Sequence, residues 1–130
     1  MYNLLRVSIA LCLLTTVASA AVIRNFSVDT TIEFPGSVTA RIMAAGANGQ
    51  LRGRGQLRLF RTAIYPITVT TGSISDDTII LAGFVKRQGV LYPYDLEITK
   101  STGEATMEIS DETDTSVVST LDGFATTKVR

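Results

Sequence analysis

The sequence contains no histidine and no tryptophan, and its single cysteine, Cys12, lies close to the start of the chain. Without histidine, neither a Ser-His-Asp triad nor a Cys-His pair can form. Zinc sites built from histidine and cysteine ligands are excluded for the same reason. We assign no catalytic residue, metal ligand or cofactor, and expect a non-enzymatic protein. A small enzyme that uses carboxylates alone is the remaining enzymatic alternative.

The first 20 residues have the features of a secretory signal peptide. Arg6 supplies a positive charge before an uncharged apolar stretch at residues 7–17, and Ala18 and Ala20 are the small residues that signal peptidase reads. The apolar stretch is shorter than the roughly 20 residues that a spanning helix needs. We therefore expect residues 21–130 to form one domain without a transmembrane helix, which is secreted, periplasmic or on the cell surface.

Cleavage after Ala20 would also remove Cys12 and leave a domain without a disulfide. Many small secreted domains depend on disulfides because their cores are thin. At about 110 residues, however, a chain can bury enough surface to fold without them. The whole sequence has 12 basic and 12 acidic residues; losing Arg6 leaves 11 and 12, a net charge of −1.

Apolar and polar residues alternate after Ala20, and Val, Ile, Thr, Tyr and Phe dominate the alternating stretches. Turn residues separate these stretches, which is typical of an antiparallel meander. The pattern predicts eight strands, near residues 22–28, 31–34, 37–44, 50–61, 64–71, 78–86, 90–99 and 103–110, with one or two more at 116–129. The first two could also be one bent strand. We expect an all-β fold, either a small antiparallel barrel or a tightly coiled sandwich of seven to nine strands.

Residues 50–60 show the clearest alternation. One face carries Leu51, Gly53, Gly55, Leu57 and Leu59, and the other carries Gln50, Arg52, Arg54, Gln56, Arg58 and Phe60. Two glycines on the inner face indicate a sheet that coils sharply or a backbone that comes close. This favours a barrel over a flat sheet.

The outer face of this strand carries a basic stripe of Arg52, Arg54 and Arg58. Residues two apart on a strand point to the same side, about 6.6 Å from each other. Such a stripe suits a polyanion, although the sequence has no specific nucleic-acid signature. The alternative is that the arginines pair across strands with carboxylates such as Glu104 or Glu108.

Each of the three prolines follows an aromatic residue, at positions 34–35, 65–66 and 92–93. Proline cannot donate to a sheet ladder, so we expect each one at a strand end, an edge or a bulge. Tyr92 and Tyr94 point to the same side of their strand, and Tyr65 precedes another proline. Grouped tyrosines can rim the mouth of a ligand pocket. Their alternative role is packing in the core.

The stretch at residues 79–85 is apolar on both faces. Ile79, Leu81 and Val85 share one face, and Ile80, Ala82 and Phe84 share the other. A strand of a single antiparallel sheet needs only one apolar face. We expect the second face, around Ile80 and Phe84, to be covered by a terminal segment or to form an interaction surface.

Two function hypotheses follow. In the first, the domain is an exported binding module for a small apolar ligand inside the barrel or for a polyanion on the stripe. That hypothesis predicts a continuous internal cavity or an unpaired row of arginines. In the second, the domain is a structural subunit of an extracellular or surface assembly, such as a homo-oligomer. It predicts a filled interior and an exposed apolar patch around Ile80 and Phe84.

Overall fold

The computed structural model describes residues 24–60, 62–113 and 116–130. The expected signal peptide at 1–20, with Cys12, lies outside them. The eight strands are β1 (Asn25–Phe34), β2 (Val38–Ala47), β3 (Arg52–Leu59), β4 (Ala63–Ile74), β5 (Thr78–Arg87), β6 (Val90–Thr99), β7 (Glu104–Ser110) and β8 (Val117–Val129). Each strand pairs antiparallel with the next, and β8 pairs with β1, so the sheet closes into a barrel. No helix within these residues is long and apolar enough to cross a membrane.

The all-β prediction is confirmed, and the barrel is closed rather than an open sandwich. The two predicted strands at 22–28 and 31–34 are a single strand, β1, whose ten residues pair without interruption with β2. The closing segment at 116–129 is also one strand. The predicted break at Asp29 and Thr30 is absent, because both residues pair with β2 and Thr30 is buried inside the barrel.

The two ends of the chain complete the barrel along the seam between β1 and β8. The amide of Ser27 donates to the carbonyl of Arg130 at 2.9 Å, and the amide of Arg130 donates back to Ser27 at 2.9 Å. Inside the seam, the hydroxyls of Thr30 and Thr127 are hydrogen-bonded at 2.8 Å. The side-chain bond satisfies two hydroxyl groups that the closed barrel removes from water.

Gln88 and Asn48 lie in hairpin turns at opposite ends of the barrel. Gln88 and Gly89 both have positive φ, at 52° and 81°, which is the backbone of a tight two-residue hairpin. At the other end of the barrel, the side chain of Asn48 donates to the carbonyl of Ile74 at 2.8 Å and accepts from its amide at 2.7 Å. Asn48 thereby takes the place of a strand partner where β4 extends beyond β3.

Pro66 and Pro93 lie within β4 and β6 rather than at strand ends, and each lies where one side of its strand is a local edge. Each proline pairs with a neighbouring strand on one side only, because the ladder on the other side ends at the next residue of the chain. The β4–β5 register ends at Ile67, and the β6–β7 register ends at Tyr94. A proline is tolerated at these positions because it lacks an amide hydrogen, and the unpaired side of the strand needs no amide donor.

Alternate residues of the strands fill the barrel with apolar side chains. The core is formed by Val28, Ile32, Phe34, Val38, Ala40, Ile42, Ala44, Leu51, Leu57, Ile67, Val69, Ile79, Leu81, Val85, Tyr94, Leu96, Ile98, Ala105 and Met107. An interior of eight strands is just wide enough for such side chains to meet. The stability of the barrel therefore comes from burial along its axis.

The inner-face glycines of β3 lie against the backbone of β2. A Cβ atom at Gly53 would overlap the carbonyl oxygen of Met43, and one at Gly55 would overlap that of Arg41. The close backbone approach predicted from the two glycines is thus present. It lets β2 and β3 coil tightly around the core.

Candidate functional site

An apolar cavity opens at the end of the barrel that carries the β3–β4, β5–β6 and β7–β8 loops. It has a volume of about 230 Å³. Its wall is formed by Leu57, Leu59, Tyr65, Val85, Arg87, Tyr92, Ile109, Val118, Ser119 and Leu121. The wall is mostly apolar, and its few polar groups are the two tyrosines, one serine and one arginine. This combination is typical of small-molecule pockets.

The cavity lies where neighbouring strands stop pairing. The β4–β5 ladder ends at Ile67 and Val85, and the β6–β7 ladder ends at Tyr94 and Ile109. Beyond these pairs, β4 continues along β3 and β5 continues along β6. The two ladders end next to Pro66 and Pro93, so the prolines contribute to the opening at this end of the barrel.

The three tyrosines that were predicted to rim a ligand pocket are not buried to the same extent. Tyr65 and Tyr92 line the cavity. Tyr94 points the same way as Tyr92 but is 2% exposed and belongs to the core. The proposed group of three is therefore split, with two tyrosines at the mouth and the third packed in the interior. Tyr94 therefore has the alternative role given for the tyrosines, which is packing in the core.

The Tyr94 hydroxyl is buried and has no hydrogen-bond partner within the described residues. Burial raises the pKa of this hydroxyl far above its usual value, and the neighbouring Asp95 carboxylate raises it further. The group therefore stays protonated at neutral pH. Its partner across the β6–β7 ladder is Ile109, which is part of the cavity wall.

Arg87 is a residue of the mouth that the sequence analysis missed. Its guanidinium carbon lies 5.8 Å from the centre of the Tyr65 ring, within the range of a cation–π contact. The alternation of β5 contained the signal, since Arg87 follows Val85 by two residues and so belongs on the inner side. Its position at the strand end leaves the charge at the rim.

The arginine stripe lies on the outer wall, away from the cavity. Arg52, Arg54 and Arg58 are all exposed on β3. Their neighbours across the ladders are residues of β2 and β4, none of them acidic. The alternative that these arginines pair with Glu104 or Glu108 is wrong, because both glutamates lie on β7, four strands away in either direction around the barrel.

The carboxylates gather on the side opposite the stripe. The outward residues of β6, β7 and β8 include Asp95, Glu97, Glu104, Glu108 and Asp122. Among the described residues, Arg41 forms an ion pair with Asp29 at 3.8 Å, whereas none of these five carboxylates lies within 4 Å of a cationic group. The segregation of charge along the sequence therefore becomes two opposite charged faces in the barrel.

The outer apolar face of β5 is only partly exposed. Ile80 is 44% exposed, whereas Ala82 and Phe84 are half-buried. Pro93 is the cross-strand neighbour of Phe84 on β6. Within residues 24–60, 62–113 and 116–130, neither end of the chain covers this face, because β8 and β1 pair with each other and with β7 and β2.

No cluster of three or more potential metal-ligating side chains occurs among residues 24–60, 62–113 and 116–130. Comparisons with known proteins provide no relative: no family model matches, and neither the curated proteins nor the solved structures give a significant match. The end cavity and the two charged faces are therefore the features of this barrel that bear on its function.

Proposed function

We propose that this protein is an exported, non-enzymatic binding module that holds a small apolar ligand in the cavity at the end of its barrel. The observation that carries the proposal is a mostly apolar wall of ten residues around about 230 Å³, whose polar groups belong to Tyr65, Tyr92, Arg87 and Ser119. Apolar walls with a few fixed polar groups are how proteins bind and orient small molecules. The export part of the proposal rests on residues 1–20.

The cavity is confined to one end of the barrel, which limits the ligand. Below it, large side chains such as Leu81, Leu96 and Met107 are fully buried on the barrel axis. A ligand would therefore enter by one end and keep its other end near the loops. A short aliphatic chain with a polar group at the rim fits this shape, because the hydroxyl of Tyr92 and the guanidinium of Arg87 can donate hydrogen bonds.

Decanol and decanoate are suitable probes, and their binding can be followed by the intrinsic fluorescence of the tyrosines. The chain has four tyrosines and no tryptophan, and Tyr65 and Tyr92 line the cavity. Binding should therefore change the intrinsic tyrosine fluorescence in a saturable manner. A stronger response to decanoate than to decanol would support a contribution from Arg87.

Substituting Ser119→Phe should fill part of the cavity and weaken binding of both probes. Ser119 lines the wall, whereas Thr120 is the next residue of β8 and is exposed on the outside. Thr120→Phe is therefore a matched control that introduces the same side chain on the outer face. We expect at least a tenfold weaker affinity for Ser119→Phe, about 1.4 kcal/mol, and no change for Thr120→Phe. Equal affinities in the two variants would contradict the proposal.

Polyanion binding on Arg52, Arg54 and Arg58 is the second candidate function. It is favoured by the exposure of these side chains and by the lack of an acidic neighbour for any of them on β2 or β4. Such binding would be lost as salt screens the charges. This candidate concerns the outer wall only, so it is independent of the cavity.

A further inference from the structure

We propose that the protein assembles with copies of itself, the arginine face of one barrel docking on the acidic face of the next. The arginine face is defined by Arg41, Arg52, Arg54 and Arg58 on β2 and β3, and the acidic face by Asp95, Glu97, Glu104, Glu108 and Asp122 on β6, β7 and β8. The proposal concerns the outer wall and does not depend on the cavity.

The acidic face is unfavourable in an isolated barrel. Asp95 and Glu108 are direct cross-strand partners, and like charges in this position destabilise a sheet. Asp122 accepts a hydrogen bond from Thr106 at 2.8 Å, and no described cation lies within 4 Å of any of these carboxylates. A cationic partner would remove the repulsion.

The arginine face has the complementary charge and similar surroundings. Arg52, Arg54 and Arg58 are free of ion pairs among the residues that the structure describes. Met43 lies beside Arg54 and is 54% exposed, whereas Phe124 lies beside Glu104 and is 65% exposed. Each face therefore places a large apolar side chain among its charges. Burial of both would add to the attraction between opposite charges.

The positions of the two faces determine the form of the assembly. Three strands lie between β3 and β7 in each direction around the closed barrel, so the faces lie on opposite sides. A contact between two different surfaces on opposite sides is heterologous and does not close into a dimer. We expect an open row of barrels that grows with protein concentration.

A polyanion could use only one of the two faces. The chain as a whole has equal numbers of basic and acidic residues, so a polyanion would be attracted by the arginine face and repelled by the other. Self-docking accounts for both faces and for the uncompensated pair of Asp95 and Glu108. It is therefore the interpretation that we favour for Arg52, Arg54 and Arg58.

The first experiment measures the mass of the protein in solution by sedimentation at increasing concentration. At an ionic strength of about 0.01 M the Debye length is about 30 Å, and at about 1 M it is about 3 Å. We expect the mean mass to rise with concentration at low salt and to return to that of the monomer at high salt. A monomer at all concentrations and both salts would overturn the proposal.

The second experiment weakens one face at a time. Arg54→Gln with Arg58→Gln removes two of the four positive charges of the arginine face, and Glu97→Gln with Glu108→Gln removes two of the five negative charges of the acidic face. All four residues are exposed, and circular dichroism would verify that both variants fold. Each variant alone should be a monomer. Mixed in equal amounts, they should form a heterodimer and stop there, because each contributes one intact face.

A matched control changes charges outside both faces. Lys86→Gln with Glu33→Gln alters two exposed residues, on β5 and β1, and should assemble like the unmodified protein. Assembly that survives in both face variants would overturn the proposal and assign the contact to the apolar patch around Ile80. A monomer that binds immobilised heparin, and loses this binding with Arg54→Gln and Arg58→Gln, would assign the arginine face to a polyanion instead.

Discussion

Tyr94 places a polar group without a hydrogen-bond partner in the part of the barrel interior that the structure describes. Its hydroxyl is buried without a partner among the described residues, and burying such a group costs about 1–3 kcal/mol. The ring nevertheless fills a central part of the core.

Replacing Tyr94→Phe should raise the free energy of unfolding by about 1 kcal/mol at neutral pH, because the ring remains and the unpaired hydroxyl is removed. The variant should also change the response to alkali. Burial raises the pKa of Tyr94 in the folded protein, whereas an unfolded tyrosine titrates near 10.0. Above that pH the folded state retains a proton that the unfolded state loses, so stability falls as pH rises.

Urea unfolding at about pH 7 and about pH 11 measures both effects. The loss of stability between the two pH values should be smaller in Tyr94→Phe than in the unmodified protein. Tyr92→Phe is the control, because Tyr92 lines the open cavity and is only half-buried. A Tyr94→Phe variant that is less stable at neutral pH would show that the hydroxyl has a partner.

At the scale of single elements, the two sides of β3 differ in role: the inner side packs in the barrel, and the outer side is exposed. Its inner side is made of Gly53, Gly55, Leu57 and Leu59, and its outer side carries the exposed arginines. The glycines bring its backbone close to β2, where side chains would prevent the approach. The sequence predicted both this alternation and the close backbone approach at the two glycines.

Gly55→Ala should destabilise the barrel by about 3 kcal/mol or more, because the new Cβ would overlap the backbone of β2 and neither strand can shift alone. Gly36→Ala is a useful comparison. Gly36 has a φ of 81° in the β1–β2 turn, and nothing lies within 4 Å of an added Cβ. Its substitution should cost only about 1 kcal/mol of backbone strain. Thermal unfolding that ranks Gly36→Ala as the more harmful change would contradict the close approach.

At the scale of the whole molecule, closure by β1 and β8 removes the two open edges that an eight-strand sheet would have. Open edges can pair with other chains, and a closed barrel has none. Any assembly would therefore use the faces of the wall rather than strand addition. The seam has one internal polar contact, the 2.8 Å bond between the hydroxyls of Thr30 and Thr127.

Thr127→Val should weaken the seam by about 1–3 kcal/mol, because it leaves the fully buried Thr30 hydroxyl without a partner. The double variant Thr30→Val with Thr127→Val should recover most of this loss, since it removes both polar groups and keeps their shape. Thr126→Val is the control, because that side chain is exposed on the outside. Denaturant unfolding of the four proteins would test the seam; equal losses in the single and double variants would contradict it.

The sequence by itself determined the fold class, most of the hairpin turns and which side chains face inward, because period-two alternation and turn residues act locally. Barrel closure, the division of the tyrosines and the partners of the arginines depended on tertiary structure. They are set by which strands become neighbours, and no local pattern specifies that β8 returns to β1 or that β3 faces away from β7. The cavity also belongs to the tertiary structure, since it forms only where the β4–β5 and β6–β7 ladders end at the same end of the barrel.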